Sequence, residues 1–215
     1  ADIGPRPCAV ADEAFPPLRP GALDALFSLL SLQAIDDLPG ALAQHRAALR
    51  PDGLFLAAMI GGESLRELRE CLTEAELALR GGAAARVAPT ADSRDAGGLL
   101  QRAGFALPVS DSDRITLDYA DPFGLFRDLR GLGAANPLAE QDRRPPPRAL
   151  FMEAARRYAA RWSRPDGRVT ATIEIIWMTG WTPHDSQQSA LRPGSARSRL
   201  ADALNVEERP AGDQP

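Results

Sequence analysis

The chain has 215 residues, which is enough for one domain with a buried core, and its formal net charge at neutral pH is -4. Its basic residues are all arginine and form no basic stripe, which argues against a nucleic-acid partner held through its phosphates. No apolar run reaches the roughly 20 residues of a membrane-spanning helix. The two cysteines lack metal-ligand spacing, which favours a reducing, cytoplasmic compartment. We expect the protein to be bacterial.

The first predicted elements form a strand-helix-strand unit. Residues 23–32 are a continuous apolar run of strand length, typical of a strand that is buried on both faces of a parallel sheet. Asp37 predicts a helix N-cap with Pro39 in the first turn, and residues 50–53 (RPDG) predict the end of that helix. Residues 53–61 predict a second buried strand. The short links between these elements indicate a right-handed crossover between parallel strands.

The middle of the chain predicts helices and one long strand. Residues 64–67 (SLRE) match a capping box, and leucines at helical spacing follow them as far as Gly81. Residues 94–105 predict a shorter helix that ends at Gly104. The broken alternation of residues 105–119 favours a long, bent strand, and Asp121 and Pro122 begin another helix.

The last third of the chain predicts a linker, a helix, a strand and a tail. Three consecutive prolines make residues 142–148 a stiff linker, and capping and periodicity predict a helix over about residues 149–162. Alternation over residues 168–181 indicates a strand with one partly polar face, near a sheet edge or antiparallel to its neighbour. From Thr182 the composition becomes polar, so we expect a domain over residues 1–185 and an extended or disordered tail over residues 186–215.

The sequence contains no pattern typical of nucleophilic or metal catalysis. It has no nucleophile elbow, phosphate loop or metal-ligand cluster. His45 has no carboxylate or second histidine at a useful spacing, and we interpret it as a partly exposed helix residue. His184 follows a strand end, where loop residues often meet ligands, but we favour a surface role for it. We therefore predict no metal site, and these patterns do not identify the catalytic residues.

The loop after the first apolar run is the place where a ligand is expected. In open parallel sheets, ligands bind just beyond the carboxyl ends of the strands. Leu30, Ser31, Leu32 and Gln33 occupy that position. The alternative is an ordinary connection between a strand and a helix.

A family resemblance favours the ligand-binding interpretation of this loop. Residues 10–69, which begin VADEAFPPLRPGALDALFSLLSLQ, resemble the second half of a class I S-adenosylmethionine-dependent methyltransferase. More narrowly, they resemble the branch that contains the malonyl-carrier-protein methyltransferase of biotin synthesis and the mitochondrial complex I assembly factor of methyltransferase fold. Residues 128–136 (DLRGLGAAN) and 171–188 (ATIEIIWMTGWTPHDSQQ) are more similar to the assembly factor. The resemblance covers most of residues 10–190.

The resemblance implies a fold and a reaction. The fold is α/β and Rossmann-like, with a mostly parallel sheet, helices on both faces, and a helical lid built from about residues 64–80 and 122–162. The cofactor is S-adenosylmethionine, and the methyl acceptor is a small molecule or a protein. Because the sulfonium is already an activated methyl donor, such an enzyme needs alignment and exclusion of water more than acid-base groups.

The resemblance also implies roles for individual residues. Asp12 resembles the acidic residue that reads the adenine amino group, and Ala11 would supply neighbouring backbone. Leu30 and Ser31 resemble the residues that wall the methionine part of the cofactor. Gln33 begins the loop that faces the substrate.

The sequence departs from the family pattern at its beginning. The glycine-rich turn after the first strand and the acidic residue after the second are missing, because the match begins only around the third strand. We therefore expect part of the natural protein to precede residue 1, and we expect a central strand to be left as an open sheet edge. The alternative is a shortened relative that has lost cofactor binding.

Two other functions remain open. The closer match to the assembly factor allows a non-catalytic role in assembling a respiratory-complex subunit. Those relatives are also associated with hydroxylation of an arginine on a partner subunit, so an oxidative modification is a third hypothesis. The sequence shows no facial triad of two histidines and a carboxylate for iron.

Overall fold

A computed structural model of the chain describes residues 10–82, 84, 86, 91–133, 145–188, 195 and 200–206. The chain divides into two compact units, the first ending at His184 and the second beginning at Asp185. The second unit contains the five-residue helix α6 (Leu200–Leu204). The domain boundary expected at residue 185 and the character of the tail stay predictions. Within the described residues, no helix is long and apolar enough to cross a membrane.

The first unit is built on a mixed sheet of four strands. These are β1 (Leu23–Leu29), β2 (Leu49–Ile60), β3 (Ala106–Tyr119) and β4 (Val169–Trp181). Their order across the sheet is β1-β2-β4-β3. Strands β1 and β2 are parallel, whereas β4 runs antiparallel to both β2 and β3. Of the two alternatives expected for the last strand, antiparallel pairing is the one the structure shows, since β4 lies between β2 and β3 and not near an edge.

Helix α1 (Leu38–Ala48) makes the predicted crossover from β1 to β2. The carboxylate of Asp37 accepts a hydrogen bond from the backbone N–H of Gly40 at 3.0 Å, and Pro39 lies in the first turn, as predicted. The helix ends at Ala48, two residues before the predicted stop at residues 50–53. That stretch instead lies inside β2, where Asp52 adopts a left-handed backbone with φ of 61°.

Helices cover both faces of the sheet. Helix α3 (Ser93–Arg102) packs with α1 on one face, against a cluster that includes Phe55, Ile176 and Met178. Helices α2 (Arg66–Arg80), α4 (Pro122–Gly131) and α5 (Arg148–Trp162) form a second cluster with Val169 and Ala171 of β4. Since side chains alternate along a strand, the two clusters lie on opposite faces of the sheet.

Strand β1 is less buried than its apolar sequence predicts. Phe27 is 60% exposed and Leu29 is 65% exposed, so the expectation that both faces of this strand are buried is wrong. The two side chains share a face with Leu56 and Ala58, their partners on β2. Helices α1 and α3 pack against the other face. Within the described residues, β1 is also one of the two edges of the sheet, as expected, and β3 is the other.

The start of helix α2 differs from the prediction. Its N-cap is Leu65, with a left-handed φ of 53° and no side-chain cap, so the capping box of residues 64–67 does not form. Ser64 instead exchanges hydrogen bonds with the backbone of Glu174, donating to its carbonyl at 3.1 Å and accepting from its N–H at 2.9 Å. Glu67 accepts from the backbone and hydroxyl of Thr172. Both predicted capping residues therefore fasten α2 to β4.

The remaining predicted elements form close to their expected positions. Helix α3 ends near Gly104, which has a φ of 83° that glycine adopts without strain. Strand β3 has an irregular register between Ala106 and Val109. Asp121 caps α4 through the N–H of Gly124 at 2.8 Å. Residues 142–144 of the predicted linker lie outside the described residues. Helices α2, α4 and α5 occupy the predicted lid ranges, although their role as a lid stays a prediction.

Candidate functional site

The loop before β1 and the loop after it meet at the same edge of the sheet. The hydroxyl of Ser28 donates a short hydrogen bond to the carboxylate of Glu13. The same hydroxyl lies 3.1 Å from the hydroxyl of Ser31. Glu13 is the neighbour of Asp12 in the chain, so the structure brings the Asp12 segment and the loop at residues 30–33 to one rim beyond the carboxyl end of β1.

Helix α1 holds the Asp12 segment from beneath. The side-chain amide of Gln44 donates to the carbonyl of Ala14 at 2.8 Å. Nε2 of His45 lies 3.2 Å from the carbonyl oxygen of Glu13. A carbonyl oxygen only accepts, so this contact requires a proton on Nε2 of His45.

His45 is a buried residue, and its interpretation as partly exposed is wrong. It is 2% exposed, and its ring stacks on Phe55 with 6.0 Å between the ring centroids. Burial lowers the pKa of His45, because the charged imidazolium loses its hydration, while the carbonyl and charge of Glu13 oppose that shift. A neutral His45 therefore serves as a support for the loop.

Asp12 presents its carboxylate at the surface of this rim. Its Oδ1 accepts a hydrogen bond from the N–H of Ala14 at 2.9 Å, which fixes the turn that follows. Asp12 and Ala11 are both exposed. An exposed carboxylate with a fixed backbone can accept a hydrogen bond from an amino group of a ligand.

The loop at residues 30–33 is tightly fixed to both parallel strands. Leu30 has a left-handed φ of 56°, which is uncommon for a leucine, and its N–H donates to the carbonyl of Ala58 at 2.7 Å. The amide of Gln33 donates to the carbonyl of Leu30 at 2.6 Å and accepts from the N–H of Ile60 at 3.4 Å. Gln33 thus clamps the ends of β1 and β2 together, and its predicted role towards a substrate stays a prediction.

The predicted site residues divide by exposure. Leu30 is half exposed and Ser31 is partly buried at the rim, whereas Leu32 is fully buried in the core below them. The four residues that support the rim were missed in the sequence: Glu13, Ser28, Gln44 and His45. Two signals were present, since Glu13 directly follows Asp12 and Ser28 is the one polar residue within residues 25–30 (ALFSLL).

Other reactive groups in the described part of the chain provide neither a metal-binding cluster nor an activated thiol. No group of three or more histidine, cysteine or carboxylate side chains among the described residues could hold a metal ion. Cys71 is buried, and burial with the neighbouring carboxylates of Glu74 and Glu70 raises its pKa to about 11. The thiol is therefore protonated at neutral pH and is a poor nucleophile.

The chain is similar in sequence to two groups of known proteins. No protein-family model matches the chain. The chain is 41% identical over 202 residues to the mitochondrial arginine-hydroxylase NDUFAF5 of Danio rerio, spanning 94% of this chain and 63% of that protein. It is 38% identical over 192 residues to the malonyl-[acyl-carrier protein] O-methyltransferase of Halorhodospira halophila, spanning 88% of this chain and 62% of that protein. The chain thus spans less than two thirds of the length of these relatives.

Solved structures share the fold at low sequence identity. A proposed methyltransferase from Bacillus halodurans superposes with a TM-score of 0.50 at 13% identity, over 81% of this chain and 76% of that one. The YcgJ protein of Bacillus subtilis gives 0.52 at 10% identity, over 81% and 70%. The chain is therefore a homologue of the NDUFAF5 arginine hydroxylases and the malonyl-[acyl-carrier protein] O-methyltransferases, and it has the Rossmann-like fold of class I methyltransferases.

Proposed function

We propose that the protein containing this chain is an S-adenosylmethionine-dependent methyltransferase acting on a small carboxylate or a protein acceptor. The observation that carries the proposal is the hydrogen-bonded link from Glu13, the chain neighbour of Asp12, through Ser28 to Ser31. The identity to the malonyl-[acyl-carrier protein] O-methyltransferase supports it independently.

The residues at this rim suit an adenosyl ligand. The exposed carboxylate of Asp12 can accept from an adenine amino group, with Ala11 supplying backbone beside it. Leu30 offers a half-exposed apolar wall, and Ser31 offers a hydroxyl for the polar end of the ligand. S-adenosylmethionine supplies an activated methyl group when it is bound, so the protein's task is to orient the two reactants and keep water away.

Calorimetry tests the proposal with the protein expressed from its complete gene. We expect S-adenosylhomocysteine to bind, and we expect Asp12→Ala to weaken its binding about tenfold, the cost of one charge-assisted hydrogen bond. Asp36→Ala is the matched control, because it removes another exposed carboxylate a few residues past the same loop. Absence of binding, or equal weakening by both variants, contradicts the proposal.

A second candidate function follows from the identity to NDUFAF5, which is named an arginine hydroxylase. On this proposal the protein assembles or hydroxylates a respiratory-complex subunit. Co-purification with such a subunit that persists in Asp12→Ala favours a binding role that is independent of the adenosyl rim. Loss of the interaction in that variant favours the methyltransferase. We also propose a cytoplasmic, bacterial setting, while the NDUFAF5 relatives are mitochondrial.

A further inference from the structure

A separate polar cavity of about 420 Å³ lies beyond the carboxyl end of β2. Its charged lining comes from the turn after β2, from the start of α3 and from the middle of β3 and β4. The charged residues that line it are Glu63, Asp92, Arg94, Arg114 and Glu174. Because four separate segments of the chain meet there, the cavity is formed by the fold and not by a single loop.

Two of its acidic side chains are already used by the protein. Glu63 forms an ion pair with Arg66 at 3.1 Å. Asp92 caps helix α3, accepting from the N–H of Asp95 at 2.8 Å. Neither carboxylate therefore has its full hydrogen-bonding capacity left for a ligand.

Glu174 is the buried carboxylate of the cavity. It is 5% exposed, and its Oε2 accepts from the backbone N–H of Glu63 at 2.9 Å. Within the described residues it has no ion-pair partner. Burying a carboxylate without a cationic partner costs free energy. A cationic donor from a ligand would therefore bind favourably to Glu174.

The backbone beside Glu174 is shaped to admit its carboxylate. A Cβ added at Gly61 would lie 2.5 Å from Oε2 of Glu174, closer than real atoms come. Only glycine at position 61 therefore leaves space for the carboxylate where it lies.

The arginines of the cavity are not neutralised by the protein. Arg114 is the direct cross-strand partner of Glu174, yet the two side chains form no ion pair, and Arg114 and Arg94 pair with no other residue that the structure describes. Neighbouring opposite charges normally attract each other. The cavity is thus lined by two exposed guanidinium groups and one buried carboxylate, Glu174, that form no ion pair with one another.

We propose that this cavity binds a small dipolar ligand that carries a carboxylate and an amine. The carboxylate lies at Arg94 and Arg114, which suit it because a guanidinium binds a carboxylate with two parallel hydrogen bonds. The amine donates to Glu174. The proposal does not depend on the adenosyl rim, which uses other residues.

Calorimetry with ω-amino acids of increasing length tests the proposal and measures the spacing of the two charges. The probes are glycine, 4-aminobutyrate and 6-aminohexanoate, with acetate and ethylamine as probes that carry one charge each. We expect at least one amino acid to bind about tenfold more tightly than either single-charge probe. Equal or weaker binding of every amino acid overturns the proposal.

Two variants separate the two halves of the site. Arg114→Gln is expected to remove the advantage of the amino acid over ethylamine. Glu174→Gln keeps an oxygen that can accept from the N–H of Glu63, and it is expected to remove the advantage over acetate. Arg127→Gln on α4 is the control, because it removes one exposed positive charge elsewhere. If Arg127→Gln weakens binding as much as Arg114→Gln, general electrostatics explain the binding and the proposal fails.

The folded state of each variant is checked by its thermal unfolding and circular dichroism before titration. A folded Glu174→Gln protein that retains the full preference for the amino acid also overturns the proposal. Should Glu174→Gln fail to fold, the Arg114→Gln and Arg127→Gln pair decides the outcome alone.

Discussion

The hydroxyl of Ser28 donates a hydrogen bond to the carboxylate of Glu13, and this contact joins a loop before β1 to the strand itself. Fifteen residues of sequence separate the two side chains. The contact is partly buried and involves a charged acceptor, which makes it stronger than an average surface hydrogen bond. It is the tertiary contact that joins the segment containing Asp12 to the strand that leads into the loop at residues 30–33.

Removal of this contact should loosen the rim. We expect Ser28→Ala to lower the free energy of unfolding by about 1.5 kcal/mol, a typical value for a hydrogen bond to a charged group. Urea denaturation measures the change. A double-mutant cycle with Glu13→Ala isolates the pair, and it should give a coupling energy above about 0.5 kcal/mol. Simple additivity of the two substitutions would show that the contact contributes nothing.

The buried His45 should make stability depend on pH. Its folded pKa lies below the ordinary value of 6.5, so below pH 6.5 the unfolded chain binds a proton that the folded protein resists. The stability contribution is therefore present above pH 6.5 and is lost as the pH falls through 6.5 towards the lower folded pKa.

Urea denaturation at pH 8 and pH 5.5 measures this loss. We expect the free energy of unfolding to be lower at pH 5.5, and we expect His45→Gln to reduce the difference between the two pH values. Gln is chosen because its amide N–H can still donate to the carbonyl of Glu13. If the free energy of unfolding changes equally with pH in the unmodified protein and in His45→Gln, groups other than His45 cause the pH dependence.

The buried carboxylate of Glu67 should be important for stability. Glu67 is 2% exposed and accepts from Thr172, which ties helix α2 to β4. We expect Glu67→Ala to cost about 3 kcal/mol, since it leaves a buried N–H without its partner and opens a cavity. Glu70→Ala on the same helix removes only an exposed ion pair with Arg161 and should cost under about 1 kcal/mol. Chemical denaturation measures both variants. Equal losses in the free energy of unfolding would show that the buried contact of Glu67 is no more important than the exposed ion pair.

Glycine substitutions should have opposite effects at two positions. Gly61→Ala forces a Cβ against the carboxylate of Glu174, so we expect it to destabilise the protein by about 2 kcal/mol. Gly131→Ala meets nothing within 4 Å at the end of helix α4, and it should stabilise by up to about 1 kcal/mol because alanine favours the helix. Thermal unfolding of the two variants gives the signs. A neutral Gly61→Ala would mean that Glu174 moves without cost.

Local sequence signals were sufficient for most elements. Asp37 and Asp121 cap their helices as predicted, because a cap depends on hydrogen bonds to residues only three positions away. The apolar runs of β1 and β2 and the short helix between them were enough to predict a parallel crossover. The family resemblance supplied the Rossmann-like fold and the homologous branch.

Partnerships over long distances in sequence could not be predicted in this way. Ser64 and Glu67 match a local capping box, yet both bind β4, more than 100 residues away. Without them, buried backbone groups of β4 would lack hydrogen-bond partners, and that would cost more free energy than an uncapped helix. His45 looked like a surface residue, since its burial comes from Phe55 and the loop at Glu13 and not from its own helix.

The sequence by itself thus determined where most of the described helices and strands form, because turns, caps and periodicity act between residues a few positions apart. Only the tertiary structure decided that β4 lies inside the sheet, that Phe27 and Leu29 stay exposed, and that Glu13 pairs with Ser28 near the end of β1. These outcomes depend on which distant surfaces exclude water from one another, and that competition is settled only when the whole chain packs.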